Sequence, residues 1–579
     1  MFNSPSLNHP GALVKLAGCL VLFFCLSSSA PALTVVWEVE TGFSSSDDQA
    51  WAIETMQNSS TATIGYSRTL GPYKAVKGPA VMVQVLERGG LQISARQYSL
   101  ISDTEHMDII QLNSGDLVWV ATALGSQSQG WNIYVCRTTQ DLNTVWMQVI
   151  STGGHQEYVT SVIECSNGDL AIAGFVDDDP QVNKIDAFAA RLNANTGNTL
   201  WTNTYGSGSL TNERALCIRE LTNGDFILSG RAERPGLAGQ EDAFLLKVNA
   251  AGVATIGGYY GPVNSDDTFR DIEIDGNNVV FACGEACPTG TPTSNIMLAK
   301  IDGNLLAPLL NLHLYNPTLQ TNTHSGAWGI DPSHSQGNYV VTGHMERTTG
   351  NPKDLFLLEI GGNLGAPLWT TYYGGDENDF GRDVSKFENP RPEFPSKFER
   401  GYNIAGCKYS DPFVHIDWYN LRTGTTGFTG CENTIDLDVT TPQRYLVANF
   451  QTKMWSHAVE DEHTFLRDKR TVTVCYNLDY SSKSSSETIP GQIDVNSDIK
   501  FAHSFAIQKG ESLTATLVGL PEGAQSFGVY DMQGRKLMDG SFNVSSDESV
   551  FELETAAFSP GLYLIRLSSG ANIQMMVTP

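Results

Sequence analysis

A unit of about 55 residues recurs along most of this chain, and that period restricts the fold more than any other feature. Its clearest copy is residues 201–230, WTNTYGSGSLTNERALCIRELTNGDFILSG. An apolar-aromatic strand closes on Tyr205-Gly206, a polar loop follows, and two more strands flank an Asn223-Gly224-Asp225 turn. Aligned on the position five residues after each tryptophan slot, the repeats fall at Gly42, Ser99, Ser151, Gly206, Gly261, Asn316 and Gly374.

Two further columns keep this register. Gly65, Gly174, Gly230, Gly284, Gly343 and Gly406 close a strand, and Thr122 breaks the column in the second repeat. Ahead of that strand stand Ser114-Gly115-Asp116, Asn167-Gly168-Asp169, Asn223-Gly224-Asp225, Asp275-Gly276-Asn277 and Gln336-Gly337-Asn338, pairs that supply the positive φ of hairpin turns. A later strand recurs as DAFAARL (186–192), DAFLLKV (242–248) and DLFLLEI (354–360).

Four short strands per unit match a propeller blade, which cannot bury both faces of its sheet alone. Seven units are counted. The last lacks a strong fourth strand, and the mature chain opens on an orphan strand at residues 35–39 (VVWEV). The fold expected is therefore all-β: a seven-bladed β-propeller closed by the N-terminal strand, followed by a small C-terminal β-sandwich. Its boundaries are a signal peptide at 1–32, the propeller at 33–430 and an extra β segment packed on it at 431–480. A polar linker at 481–495 leads to a C-terminal domain at 496–579.

The unit resembles secreted bacterial β-propeller repeats that end in a Leu-Asp-x-x-Gly-x-x-x-Trp-like phrase, present here as LNANTGNTLW (192–201). The C-terminal phrases FGVYDMQGRKL (527–537) and FSPGLYLIRL (558–567) resemble the sorting domain of the type IX secretion system. That resemblance implies a β-sandwich carrying cargo across the outer membrane, with the secretion machinery as partner. Lys15, the apolar run LAGCLVLFFCL (16–26) and Ala30-Pro31-Ala32 read as a secretory signal cleaved after Ala32. The run is too short to span a bilayer, and no transmembrane segment is expected elsewhere. The expected location is secreted or on the cell surface.

The formal charge is -27, from 36 Lys+Arg against 63 Asp+Glu, which excludes nucleic acid as a partner. Glycans, surface proteins and cations remain. Eight cysteines follow the signal; Cys283 with Cys287, on one turn, and Cys431 with Cys475 are the candidate disulfides. No zinc helix, nucleophile elbow or sialidase-type aspartate box is present. Asp271-x-Glu273-x-Asp275-Gly276 starts like a calcium loop but lacks the closing acid.

The loops between repeats carry Asp47, Asp48, Glu157, Glu213, Asp266, Asp267, Asp376, Glu377 and Asp379, with Arg214, Arg270 and Arg382 following three of them in register. One reading is salt bridging and turn capping between blades. The other is a ring of carboxylates at the pore that binds sugar hydroxyls or a cation, calcium being the one such a ring would take; no other cofactor is expected. Function then divides into non-catalytic binding or scaffolding, which the lack of motifs favours, and a polysaccharide hydrolase or lyase using paired loop acids.

Overall fold

The computed structural model describes residues 37–41, most of 48–427 apart from short loop stretches, strand segments between 433 and 475, and most of 501–578. The expected signal and linker lie outside the described residues. Every regular element among the described residues is a β-strand, and none is a helix long and apolar enough to cross a membrane.

Seven antiparallel sheets stand around one axis, with the first strand of each blade innermost and in contact with the first strands of its neighbours. Those inner strands are Asp48–Thr55, Thr104–Gln111, Gln156–Glu164, Glu213–Glu220, Ser265–Ile274, Ser325–Pro332 and Asp379–Arg391, for blades 1 to 7. Blade 7 has only three strands of its own. Its fourth is Trp37–Thr41, antiparallel to His415–Gly424, with Trp37 opposite Arg422 and Thr41 opposite Trp418. The orphan strand closes the ring over the described residues Trp37–Thr41.

Each junction between blades has its own apolar core. Trp119, Tyr134 and Val83 pack between blades 1 and 2, Phe188 and Val120 between 2 and 3, and Phe244 and Ala173 between 3 and 4. Met297 and Leu245 serve blades 4 and 5, Phe356 and Phe281 serve 5 and 6, and Leu357 and Ile404 serve 6 and 7. The closing junction is built, among the described residues, on Trp418, Ala405, Met82 and Ile53. Polar bonds supplement it: Trp418 Nε1 donates to Tyr66 O (3.0 Å), Asn403 Nδ2 to Thr55 Oγ1 (2.8 Å) and Ile53 N to Asp383 Oδ2 (2.8 Å).

The sequence columns now acquire causes. Tyr205, Tyr260 and Tyr315 end outer strands and donate their hydroxyls to the backbone carbonyls of Gly252, Leu306 and Leu364 in the following blade, at 2.9, 2.6 and 2.8 Å. Buried phenols need such acceptors, which fixes the tyrosine at that slot. The turn glycines Gly115, Gly168, Gly224 and Gly337 have positive φ as expected, but in the fifth repeat Asn278 takes that conformation (φ 61) instead of Gly276.

The strand-closing glycines answer to a β-bulge. All seven inner strands carry an extra residue at the same height: Trp51, His106, Thr160, Leu216, Arg270, Trp328 and Arg382. The bulge turns the preceding backbone towards the second strand, so a Cβ on Gly65, Gly174, Gly230, Gly284, Gly343 or Gly406 would fall within 3.0 Å of an inner-strand carbonyl oxygen. Thr122, which breaks the column, stands opposite the one bulged residue with positive φ, His106 (φ 49). The strain of a side chain in the glycine slot has moved across the ladder.

Beyond the ring, residues 433–475 run around its outside against the blade order. Asn433–Thr434 pairs with blade 6, Leu437–Thr440 with blade 5, Tyr445–Ala448 with blade 4, Gln451–Met454 with blade 3 and Ala458–Glu460 with blade 2. Val474–Cys475 then pairs with Trp37–Thr41 in blade 7. Residues 501–578 form a five-stranded sheet, in which Phe501–Gln508 and Asn572–Thr578 run parallel, and a separate pair, Ser512–Val518 with Glu548–Glu554.

The bulge–glycine pairing sets a contrast between two substitutions. Gly230→Ala, opposite the bulge, should cost about 2–3 kcal/mol. Gly276→Ala, with nothing near its Cβ position, should cost no more than about 0.5 kcal/mol in urea unfolding. Equal losses would contradict the packing described.

Candidate functional site

The seven bulged residues surround one end of the central channel and line a cavity of about 430 Å³ with the residues that follow them. Bulging re-aims a side chain that would otherwise alternate into the sheet. Their rings and guanidinium groups stack in succession. Arg270 Cζ lies 3.8 Å from the Trp328 ring centre and Arg382 Cζ lies 4.0 Å from it, so two cations sandwich one indole. Arg382 reaches the Trp51 ring at 4.7 Å, Trp51 meets His106 at 5.4 Å, and His106 stands edge-on to Phe175 at 5.7 Å. Arg214 lies 5.8 Å from Phe175. Every blade thus contributes to one run of ring and guanidinium contacts from Arg270 to Arg214. Tyr158 stacks on Phe175 at 4.6 Å and on Trp131 at 5.8 Å, and Trp131 and Tyr158 keep part of their surface exposed.

Charge is distributed unevenly around this mouth. Arg214 and Arg231 share Glu241 (2.9 Å each), and Arg270 pairs with Glu285. Burial, then Arg382, Arg270, Arg231 and Arg214, pull His106 down to about 4, so the imidazole is neutral at physiological pH. Deeper in the channel three aspartates tie neighbouring blades together. Asp108 accepts from Ile109 N and Val162 N, Asp271 from Ile272 N and Ile330 N, and Asp383 from Val384 N and Ile53 N, all at 2.8–3.1 Å. Arg219 bridges Asp271 (3.1 Å) and Glu273 (3.2 Å). Burial raises Glu54 to about 8 and Asp108 to about 6.

The loop acids singled out in the sequence do not form an open ring. Asp48, Glu157, Glu213, Asp267 and Asp379 are wholly buried, each at the start of its inner strand. Glu213, Asp267 and Asp379 pack where blades meet, beside Asp186, Asp242 and Asp354 on the third strand of the preceding blade. A Cβ on Gly374 would fall under 3.0 Å from both Asp354 and Asp379, which is why glycine follows Tyr373. Burial, with hydrogen bonds from Ser207 and Thr211 opposing it and Asp186 adding to it, raises Glu213 to about 7. Burial chiefly, then Asp242 and Asp266, raises Asp267 to about 8. Asp266 is part-buried and accepts from Glu241 N (3.1 Å), and Glu377 is part-buried. Asp47 and Asp376 lie outside the described residues. The register reading failed because the acids precede the bulge, where side chains still alternate into the junction.

Other sequence candidates resolve as follows. Cys283 and Cys287 are free thiols on one strand, Val279–Pro288. Four residues of extended chain separate them by about 13 Å, beyond the reach of a disulfide. The glycine taken for a turn between them, Gly284, is the one facing the bulge. Cys431 lies outside the described residues, and Cys475 is in the outer segment, opposite Glu40. Asp271 and Glu273 point into the channel instead of a calcium loop. No group of three or more metal-ligating side chains occurs among the described residues. Trp51, His106, Trp328 and the aromatic group on blades 2 and 3 were missed; the signal for the bulged residues was the glycine column opposite them.

Comparison with known proteins adds little. No protein-family model matches the chain, and no curated protein does. Among solved structures, a protein of unknown function from Dyadobacter fermentans is 9% identical, aligned over 68% of this chain and 100% of its own with a TM-score of 0.39. An α-L-arabinofuranosidase from Fusarium graminearum is 9% identical over 67% and 98%, with a TM-score of 0.35. An exo-β-1,3-galactanase from Phanerochaete chrysosporium is 10% identical over 71% and 100%, with a TM-score of 0.30. At these values the likeness carries no argument about this chain. The class is defined by its own geometry: a seven-bladed propeller whose bulges build one stacked mouth.

The junction acids make stability depend on pH. An acid raised in the fold keeps a proton that the unfolded chain has already lost, so its contribution falls as pH rises towards the folded value. His106 acts oppositely, but only below the unfolded histidine range near 6.5. Between pH 6.5 and 8.5 Glu54, Glu213 and Asp267 lose their protons in the fold, the channel acids Asp331 and Asp383, which burial also holds well above the usual range, act in the same direction, and the melting temperature should fall by on the order of 5 °C. Asp267→Asn should flatten that slope in differential scanning calorimetry. A melting temperature that rises over this interval would show these acids ionised in the fold.

Proposed function

We propose that this protein is a non-catalytic binding propeller that receives a glycan at the channel mouth. The observation carrying this reading is the run of ring contacts that leaves the cavity-lining His106 for Tyr158 (6.1 Å) and Phe175 and reaches Trp131, with Trp131 and Tyr158 part-exposed. Flat aromatic faces suit the apolar faces of sugar rings, and convergent polar groups beside them fix orientation. Against catalysis, Asp108, Asp271 and Asp383 are each committed to two backbone N–H groups. Five of the loop acids are buried between blades. Trp131→Ala should weaken binding of whichever oligosaccharide a glycan array returns at least about tenfold, with the melting temperature within about 3 °C of wild type. Glycan binding indifferent to that change would move the site elsewhere.

The same proposal places the chain outside the cell, with residues 1–32 as export signal and 496–579 as a type IX sorting domain. Its basis is the sequence resemblance alone. Deleting residues 496–579 should leave the ring in the periplasm, read by fractionation and surface labelling. Surface display of the shortened chain would reject the sorting role.

A further inference from the structure

Among the described residues, one guanidinium at the mouth has no carboxylate partner. Arg214, Arg231 and Arg270 each have a carboxylate partner, as do Arg137, Arg191 and Arg347 elsewhere on the ring. No ion pair among the described residues involves Arg382, although the chain carries 63 acids against 36 bases. The carboxylate next to it in sequence, Asp383, is turned to Val384 N and Ile53 N. The groups acting most strongly on Arg382 are the Cys407 thiol and Arg270, which repels it. Arginine does not shed its proton in such a place, so its positive charge stands without a carboxylate partner among the described residues.

The surroundings of that charge are specific. The Trp328 and Trp51 rings lie over the Arg382 guanidinium, centred 4.0 and 4.7 Å from its Cζ, and all three side chains line the cavity. A guanidinium held by its faces offers in-plane N–H groups as a fork suited to a planar or tetrahedral oxyanion. Arg382 Nε is buried with no hydrogen-bond partner, and so are Arg270 Nε and Trp51 Nε1. Three N–H donors without acceptors around one cavity leave a surplus that an incoming acceptor satisfies. Stranded buried donors cost about 1–3 kcal/mol each, more beside a charge.

We propose that the group received at this mouth is an oxyanion borne on a sugar, the carboxylate of a uronic acid or a sulfate ester, with Arg382 as its principal partner. This rests on the reading of the mouth as a glycan site and narrows it to acidic glycans. Arg270 and the Trp51 indole N–H supply further donors, while the neutral His106 adds no charge. The overall charge of the chain, which repels polyanions at long range, confines their capture to this one local patch.

The test uses the full chain in calorimetric titrations with trigalacturonate, its neutral counterpart galactotriose, 6-sulfated galactotriose and inorganic sulfate, on wild type, Arg382→Gln and Arg382→Lys. At least one acidic sugar should bind at least about tenfold more tightly than galactotriose. Arg382→Gln should abolish that preference without weakening the neutral sugar, and Arg382→Lys, which keeps the charge but not the fork, should retain only part of it. Equal binding of acidic and neutral sugars, unmoved by Arg382→Gln, overturns the oxyanion assignment and leaves the glycan site standing. Binding of inorganic sulfate alone, lost in Arg382→Gln, keeps the oxyanion pocket and removes the glycan. No binding by any of the four probes rejects both. Should Arg382→Gln fail to fold, the lysine variant decides: acid preference undiminished by loss of the fork overturns the assignment.

Discussion

The repeated contact between an inner-strand carbonyl and the glycine facing it underlies the rest of this structure. A β-bulge needs space on the neighbouring strand, and six of seven blades provide it by deleting a side chain. Because the bulge recurs at one height, seven re-aimed side chains meet at one end of the channel. A feature that looks like local backbone tolerance is therefore what builds the mouth. His106 shows the reverse case, where Thr122 occupies the slot and the bulged residue takes the left-handed conformation instead.

Electrostatics divides the ring into zones that its net charge conceals. Acids are concentrated where blades meet, and burial raises Glu213 to about 7 and Asp267 to about 8, so these two hold their protons up to neutrality. Channel aspartates serve as paired backbone acceptors that tie one blade to the next. Arginines gather at the mouth, where the aromatic groups stack. A chain of formal charge -27 therefore presents cations at its one stacked opening.

The blade count, the strand pattern and the closing strand were legible because each repeats, and repetition averages away local noise. The glycine and turn columns each carried one physical requirement that recurred. The mouth was not legible for the opposite reason: Trp51, His106, Thr160, Leu216, Arg270, Trp328 and Arg382 share a place, but no one residue type is common to all seven. Only the glycines opposite them marked it. The buried acids misled because a shared register fixes height along the strand, whereas the bulge decides which way a side chain turns. Cys283 and Cys287 misled because Gly284 has the composition of a turn and the geometry of a strand.

Closure by Trp37–Thr41 has a consequence for how the ring comes into being during synthesis. Each apolar junction forms between consecutive blades, so assembly can follow the growing chain through local contacts. The first strand made cannot be used until the last blade exists, and it waits with bare edges. Loop closure over such a length costs only slowly more entropy than over a short one, so the delay is a matter of time more than of stability. The outer segment comes later still, and its short strands have finished blade edges as templates. The interval between leaving the ribosome and closing on His415–Gly424 is thus when this chain is most open to mispairing with its own copies.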